Sequence, residues 1–343
     1  MPKVAYGVSP IGLGHATRTL PVVERLAAAG ADVRLFSGGD AMWLLSQSGF
    51  QVDDIVSDTA PSVSAGEMKM AALWYVRSWA GLRRTSRRTA RLFREMSPDL
   101  VVCDEEFSGI GVAARTGLPR VFVSDELELG FARGRVARAI ERRVDAWYRR
   151  LQDSVDLLVI PEFGADSGNR RRVGPIVRRV TQTRAEARMA HGLPPDGSMV
   201  LVSMSGSRVG GFVLDLVMDA LSRGAVPDAF VAVSGNRGPK VAAGRVFDLG
   251  PVLDNQNLVA AADLVVSTAG KSTQDEAAAA GTPFIGIPIR HHAEQERNAA
   301  ALGLGWGDAG RLGGLMAERI GRRSAPAEYD GADRAARLIL SRL

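Results

Sequence analysis

The chain has 343 residues, more than one ordinary core holds, and its 46% hydrophobic and 24% charged residues are those of a globular protein of two domains. A net charge of +5 raises nucleic acid or an anionic membrane surface as a partner, yet only four of the 43 basic residues are lysine and the arginines are spread through both halves, which argues against nucleic acid. No apolar run approaches the ~20 residues of a bilayer-spanning helix, and the single cysteine, Cys103, excludes an internal disulfide framework.

The start runs directly into a strand, Val4 to Val8, without a signal-peptide pattern, and with one cysteine the expectation is a cytoplasmic protein. A glycine loop follows, then a helix over Thr17 to Ala29 with Leu20, Val23, Leu26 and Ala27 at helical spacing, closed by Gly30. Val33 to Phe36 is the next strand. The alternation continues through a long helix over 68–96, a strand at Leu100 to Cys103, a helix at Gly109 to Thr116, a strand at Arg120 to Val123 and a long helix over 131–153. Strands alternating with helices imply βαβ units and a parallel sheet.

Beyond Pro161 the composition turns polar and turn-rich, through Arg170-Arg171-Arg172 to Gly174-Pro175. The alternation then restarts. Strands are expected at Met199 to Met204, Ala229 to Ser234, Val246 to Leu249, Leu264 to Ser267 and Phe284 to Ile287; helices at Val213 to Ser222, Thr273 to Ala280 and Glu294 to Leu302. A last helix over Asp330 to Leu343 places Ala335, Leu338, Ile339 and Leu343 on one side. The expected division is a first domain over 1–163, a linker over 164–175, a second domain over 176–325 and a C-terminal helix over 326–343. Three arginine runs (77–94, 133–150 and 170–188) read first as solvated helix faces and a linker, with a membrane surface or an anionic acceptor as the alternative.

Ligands of open parallel sheets bind beyond the carboxyl ends of strands, where loops and helix N-termini converge. The first such loop, Ser9 to Arg18, carries Gly12-Leu13-Gly14-His15. It lacks the third glycine of a dinucleotide fingerprint, since Thr17 stands there, and no acidic residue ends the second strand, so a Rossmann dehydrogenase is disfavoured. His15 has two readings: a histidine that only hydrogen-bonds its loop, or a base that takes a proton from an acceptor hydroxyl. A second loop, Ser203 to Ser207, offers either a plain turn or hydroxyls and N–H groups for a diphosphate.

The most informative stretch is Ser267 to Ala299. A strand ends at Ser267 and a helix begins near Ser272, which makes an N-terminus suited to phosphate. Glu276 lies one turn in, within reach of a ribose hydroxyl pair. Gly270-Lys271-Ser272 suggests a P-loop, but Val265 occupies the position of its required glycine. His291 and His292 are adjacent rather than at metal-ligand spacing, so no metal site is expected.

Gly12 to Arg18 resembles the N-terminal signature of glycosyltransferase family 28 and its MurG-type relatives, which include a UDP-glucuronosyltransferase-like group. Ser267 to Ala299 resembles their donor-binding segment, a small-residue loop, a Glu, Gly-x-Pro and a Gln-x-x-Asn-Ala tail. Asp104-Glu105-Glu106 resembles an Asp-x-Glu pattern of the last group. The resemblance covers nearly the whole chain. It implies the GT-B fold: two Rossmann-like doubly wound parallel-sheet domains facing a cleft, with a C-terminal helix crossing back to the first.

By that resemblance Glu276 holds the donor ribose, Ser207, Gly270 and Ser272 lie near the diphosphate, Leu253 makes a backbone contact to the base, and Glu294 and Gln295 read the sugar hydroxyls. Lys271 stands where the family often has a second glycine; it either neutralises the diphosphate or points to solvent. The implied activity is inverting, metal-independent transfer from a nucleotide-diphosphate sugar, a UDP-sugar by likeness to relatives, to a hydroxyl of a small-molecule or lipid acceptor. The nucleotide sugar is a co-substrate, and no cofactor is expected. His15 is the expected base. Gly14, Asp104, Glu106, Asp125 and Glu126 are the expected acceptor-binding residues, against the reading that loop carboxylates are merely solvated. The competing readings are a nucleotide-sugar hydrolase or epimerase on the same fold and a non-catalytic nucleotide-sugar-binding protein.

Overall fold

The computed structural model describes all residues except 58–61, 65, 70, 126–129, 131, 133, 205–209, 237, 239 and 241–243. The chain forms two compact units. The first comprises Met1–Pro61, Met70–Val177 and Tyr329–Leu343, and the second Ser62–Lys69 and Arg178–Glu328.

The first unit contains β1 (Lys3–Val8), α1 (Gly14–Ala28), β2 (Asp32–Ser37), α2 (Gly39–Gln47), β3 (Val52–Asp54), α3 (Ala71–Met96), β6 (Leu100–Asp104), α4 (Phe107–Thr116), β7 (Arg120–Val123), α5 (Arg135–Ser154), β8 (Leu157–Ile160) and β9 (Arg170–Arg172); β4 (Ser62–Ser64) and β5 (Glu67–Lys69) lie between β3 and α3 in sequence. Its seven strands run parallel in the order β3-β2-β1-β6-β7-β8-β9. Both faces of this sheet are covered. Val4, Tyr6, Val8, Leu100 and Val102 enter one core, while the intervening Ala5, Val101 and Cys103 enter the other. That two-sided burial is why these strands read as unbroken apolar runs rather than as alternating ones.

The last helix, α12 (Gly331–Leu340), packs on α1 through Ala332, Ala335, Ala336 and Ile339. Arg25 binds Asp333 through two bonds of 2.6 and 3.0 Å. The expected return of the C-terminal helix to the first domain is therefore present.

The second unit holds α6 (Arg184–Ala190), β10 (Ser198–Ser203), α7 (Gly211–Ser222), β11 (Ala229–Ser234), β12 (Val246–Gly250), α8 (Asn255–Ala261), β13 (Leu264–Thr268), α9 (Lys271–Ala280), β14 (Phe284–Ile287), α10 (Ala293–Ala301) and α11 (Leu312–Arg319). Its strands are parallel in the order β12-β11-β10-β13-β14. Two parallel α/β sheets, each with helices on both faces, are the architecture expected from the sequence.

Three differences have physical causes. Residues 164–175, expected as a linker, belong to the first unit, because Arg170–Arg172 pairs with β8 as its edge strand. An edge strand of arginines resists pairing with a further strand, and Arg170 and Arg172 are neutralised by Asp153 and Glu162. The β4–β5 hairpin belongs to the second unit although its neighbours in sequence belong to the first; Arg290 N–H donates to the Gly66 carbonyl at 2.7 Å. Helix α1 begins at Gly14 rather than Thr17, which puts His15 on the helix together with Arg18. Among the described residues no helix is long and apolar enough to cross a membrane.

Candidate active site

In the first sheet the strand order reverses between β1 and β6, and the carboxyl ends of those two strands are where such a sheet binds ligands. Val8 and Asp104 are paired residues at those ends. The loop after β1 turns through Gly12, at φ 69°, and enters α1. His15 and Arg18, three residues apart on the first turn, therefore share the face that looks onto Asp104.

Asp104 is fully buried. Arg18 donates to both its oxygens, from Nε at 2.7 Å and from Nη2 at 2.6 Å, and His15 Nδ1 lies 2.9 Å from Oδ1. Because the ionised Asp104 carboxylate can only accept, Nδ1–H of His15 donates to it, and Nε2 is the nitrogen left to accept a proton. The other arm of Arg18, Nη1, reaches both oxygens of Asp125 at 3.1 and 3.0 Å. Burial pushes the Asp104 carboxyl up, but Arg18 and His15 outweigh it and hold it below the usual carboxylate range. Burial likewise pulls the His15 imidazole down, and its bond to Asp104 outweighs that, leaving it above its ordinary value.

The expected acceptor residues have these places in the structure. Asp104 is bonded to His15 and, through both its oxygens, to Arg18. Glu106 is 3% exposed and caps α4, accepting from the N–H groups of Ser108 at 2.8 Å and Gly109 at 2.7 Å. Asp125 is bound to Arg18. Gly14 is the first residue of α1, its carbonyl accepting from Thr17 Oγ1 at 2.8 Å. Glu126 lies outside the described residues.

In the second sheet the order reverses between β10 and β13. A polar layer built on buried Ser203, Ser234 and Ser267 joins their ends. Ser267 Oγ donates to the Ser203 carbonyl at 2.6 Å, Asn255 Nδ2 to Ser203 Oγ at 3.2 Å, and Ser234 Oγ to Asn255 Oδ1 at 2.6 Å. Gly270 is the N-cap of α9 and, as a glycine, offers no side-chain cap to that end. The backbone N–H groups of the first turn, Ser272 included, thus present the positive end of the helix dipole. Buried Asn298 fixes the preceding loop by donating to the Ala269 carbonyl at 3.0 Å.

The Lys271 ammonium binds the Asp275 carboxylate one turn along. Glu276 is buried and bonded by Arg178 Nε at 2.9 Å, while Arg178 Nη1 donates to the Leu253 carbonyl at 2.6 Å. One arginine thus joins the two expected nucleoside-binding residues. Gln295, behind the His292 cap of α10, accepts from Ile289 N–H at 3.0 Å, and Glu294 stands beside it in the first turn. Burial pulls the His292 imidazole down to about 4, so it caps α10 as the neutral acceptor. Ser207 lies outside the described residues. Sequence reasoning did not single out Arg18 or Arg178; the signals were the spacing of Arg18 from His15 and the place of Arg178 just after Gly174-Pro175.

The glycosyl transferase family 1 model matches residues 2–146, and the glycosyltransferase family 28 C-terminal domain matches residues 239–304. An uncharacterised glycosyltransferase of Methanopyrus kandleri is 26% identical over 276 residues, 74% of this chain and 78% of that protein. The UDP-N-acetylglucosamine–N-acetylmuramyl-(pentapeptide) pyrophosphoryl-undecaprenol N-acetylglucosamine transferase of Rhodococcus jostii is 32% identical over 185 residues, 46% of this chain and 48% of that one. Among solved structures, the glycosyltransferase SsfS6 of Streptomyces sp. SF2575, complexed with thymidine diphosphate, superposes with a TM-score of 0.64 at 16% identity, over 99% of this chain and 100% of that one. With its two parallel-sheet units and these matches, the chain is a glycosyltransferase of the GT-B class.

Proposed function

We propose that the protein transfers a sugar, with inversion and without a metal, from a nucleoside-diphosphate sugar to a hydroxyl of a small-molecule or lipid acceptor. The observation that carries this reading is the His15–Asp104 pair at the switch point of the first sheet, 2.9 Å apart with Asp104 buried. Nε2 of His15 takes the proton of the acceptor hydroxyl while Nδ1–H holds Asp104. The oxygen attacks the anomeric carbon from the face opposite the leaving group. The glycosidic bond to the diphosphate breaks with its electron pair, and the product is inverted.

The second unit supplies the donor half. The N-terminus of α9 receives the diphosphate and stabilises its developing charge, which is the role a metal plays elsewhere. Glu276 takes the ribose, with the Leu253 backbone beside the base. Support for a nucleoside diphosphate comes from the thymidine diphosphate in the SsfS6 complex, and for uracil from the UDP-sugar named for the Rhodococcus enzyme. On α3, Leu73 and Trp79 are exposed among arginines, which supports contact with an anionic membrane surface for a lipid acceptor.

The test is product analysis with UDP- and dTDP-sugars and an acceptor panel. The reading expects acceptor-dependent release of the nucleoside diphosphate, unaffected by a chelator, and a product of inverted anomeric configuration. Release of free sugar at the same rate without acceptor would make the protein a hydrolase.

A further inference from the structure

A histidine that accepts a proton must be stabilised as the imidazolium, and the partner carboxylate ordinarily does this. Here Asp104 is shared. Both its oxygens are bonded to Arg18, whose Nη2 also stands 3.2 Å from His15 Nδ1, so a guanidinium opposes the charge that His15 must acquire. Asp125 is likewise bound to Arg18.

Glu105 is placed differently. It follows Asp104 directly, its N–H bonded to the Val123 carbonyl at 3.1 Å, and it adopts φ 50°, a left-handed conformation that a glutamate rarely takes. A chain of neutral hydroxyl and amide groups holds its carboxylate. Gln152 Nε2 donates to Ser124 Oγ at 3.2 Å, Ser124 Oγ and the Tyr148 phenol are 2.5 Å apart, and the phenol donates to Glu105 Oε1 at 2.5 Å. Ser124, Tyr148 and Gln152 are all buried. Neutral donors fix the carboxylate without cancelling its charge.

We propose that Glu105 is a positioning residue for the His15 base, supplying the negative charge that Arg18 withdraws from Asp104. The proposal rests on the reading of His15 as the base. Tyr148 on α5 bonds Glu105, whose charge is felt by His15 and Arg18 on α1 and by Asp125 after β7, and Asp104 precedes it in the chain; Glu106 is turned away as the cap of α4. Burial raises the Glu105 carboxyl above the usual range, and the charge of His15 and the Tyr148 hydroxyl partly offset this. The charge of Glu105 in turn favours protonation of His15, while that of Arg18 opposes it.

The test is NMR titration of the His15 ring in the full chain, its signal assigned by its loss in His15→Asn. Glu105→Gln keeps an oxygen for the Tyr148 phenol and removes the charge. The His15 midpoint is expected to fall by roughly half a pH unit or more, and the acidic limb of the rate to move down with it. An unchanged midpoint in the folded variant overturns the proposal. Should Glu105→Gln fail to fold, Tyr148→Phe releases the carboxylate and is expected to lower the midpoint too; an unchanged value there overturns the proposal equally. A midpoint that falls while the rate limb stays in place supports the coupling and removes His15 as the base, so the two readings fail separately.

Discussion

Nδ1 of His15 and Oδ1 of Asp104 stand 2.9 Å apart although 89 positions separate them in the chain. The reversal of strand order between β1 and β6 brings them together, and the burial of Asp104 gives the bond its strength. Replacing His15 by Ala should lower kcat by about 10²- to 10⁴-fold, with the donor KM nearly unchanged because the donor site proposed above lies in the other unit. Steady-state kinetics with each substrate varied checks the split.

The pH profile follows from the same pair. The proposed base, His15, works when neutral, and its bond to Asp104 raises its proton affinity, so the acidic limb of kcat/KM should have its midpoint above about 6.5. Stability carries two contributions of opposite sense. That of His15, whose value is raised on folding, is complete below about 6.5 and lost as the pH rises through its folded value. That of Asp104, whose value is lowered, is complete above about 3.9 and lost as the pH falls through its folded value. Urea titrations across the pH range measure both.

Arg178 holds Glu276 and the Leu253 carbonyl at once. Arg178→Ala should leave the Glu276 carboxylate buried without its cation and the 251–254 loop unheld. The expected result is a donor KM raised about tenfold, for a loss near 1.4 kcal/mol, with a smaller change in kcat. Isothermal titration with UDP on wild type and variant measures the loss without turnover.

The C-terminal helix tests the fold. A Cβ on Gly331 would lie 2.3 Å from the Pro175 carbonyl oxygen and 2.6 Å from that of Gly174. Gly331→Ala should therefore cost about 1–3 kcal/mol by overpacking, seen as a lower denaturant midpoint. Because α12 packs on α1, some of that loss should also appear as reduced activity.

What the sequence disclosed follows the strength of each local signal. Buried parallel strands such as Phe284–Ile287, an apolar run between Pro283 and Pro288, were legible. Arg170–Arg172 was not, because an edge strand needs no apolar side chains and three arginines read as a linker. The His15 loop and the α9 N-terminus are local motifs and were visible. Whether a carboxylate faces a ligand or a cation is a property of distant partners. Asp104 and Glu106 looked alike in sequence, yet Arg18 claims one and the α4 N–H groups claim the other. Arg178 became recognisable only when the fold set Glu276 and Leu253 on either side of it.

The most direct measurement is the melting temperature with UDP, dTDP, GDP and ADP, for wild type and Glu276→Ala. A bound nucleotide stabilises the native state by mass action, about 2.7 kcal/mol at a hundred times Kd. The account predicts that UDP raises the wild-type melting temperature well beyond ADP and that Glu276→Ala loses most of this rise. If no nucleoside diphosphate shifts the wild-type transition, the second unit does not bind the donor and the account is wrong.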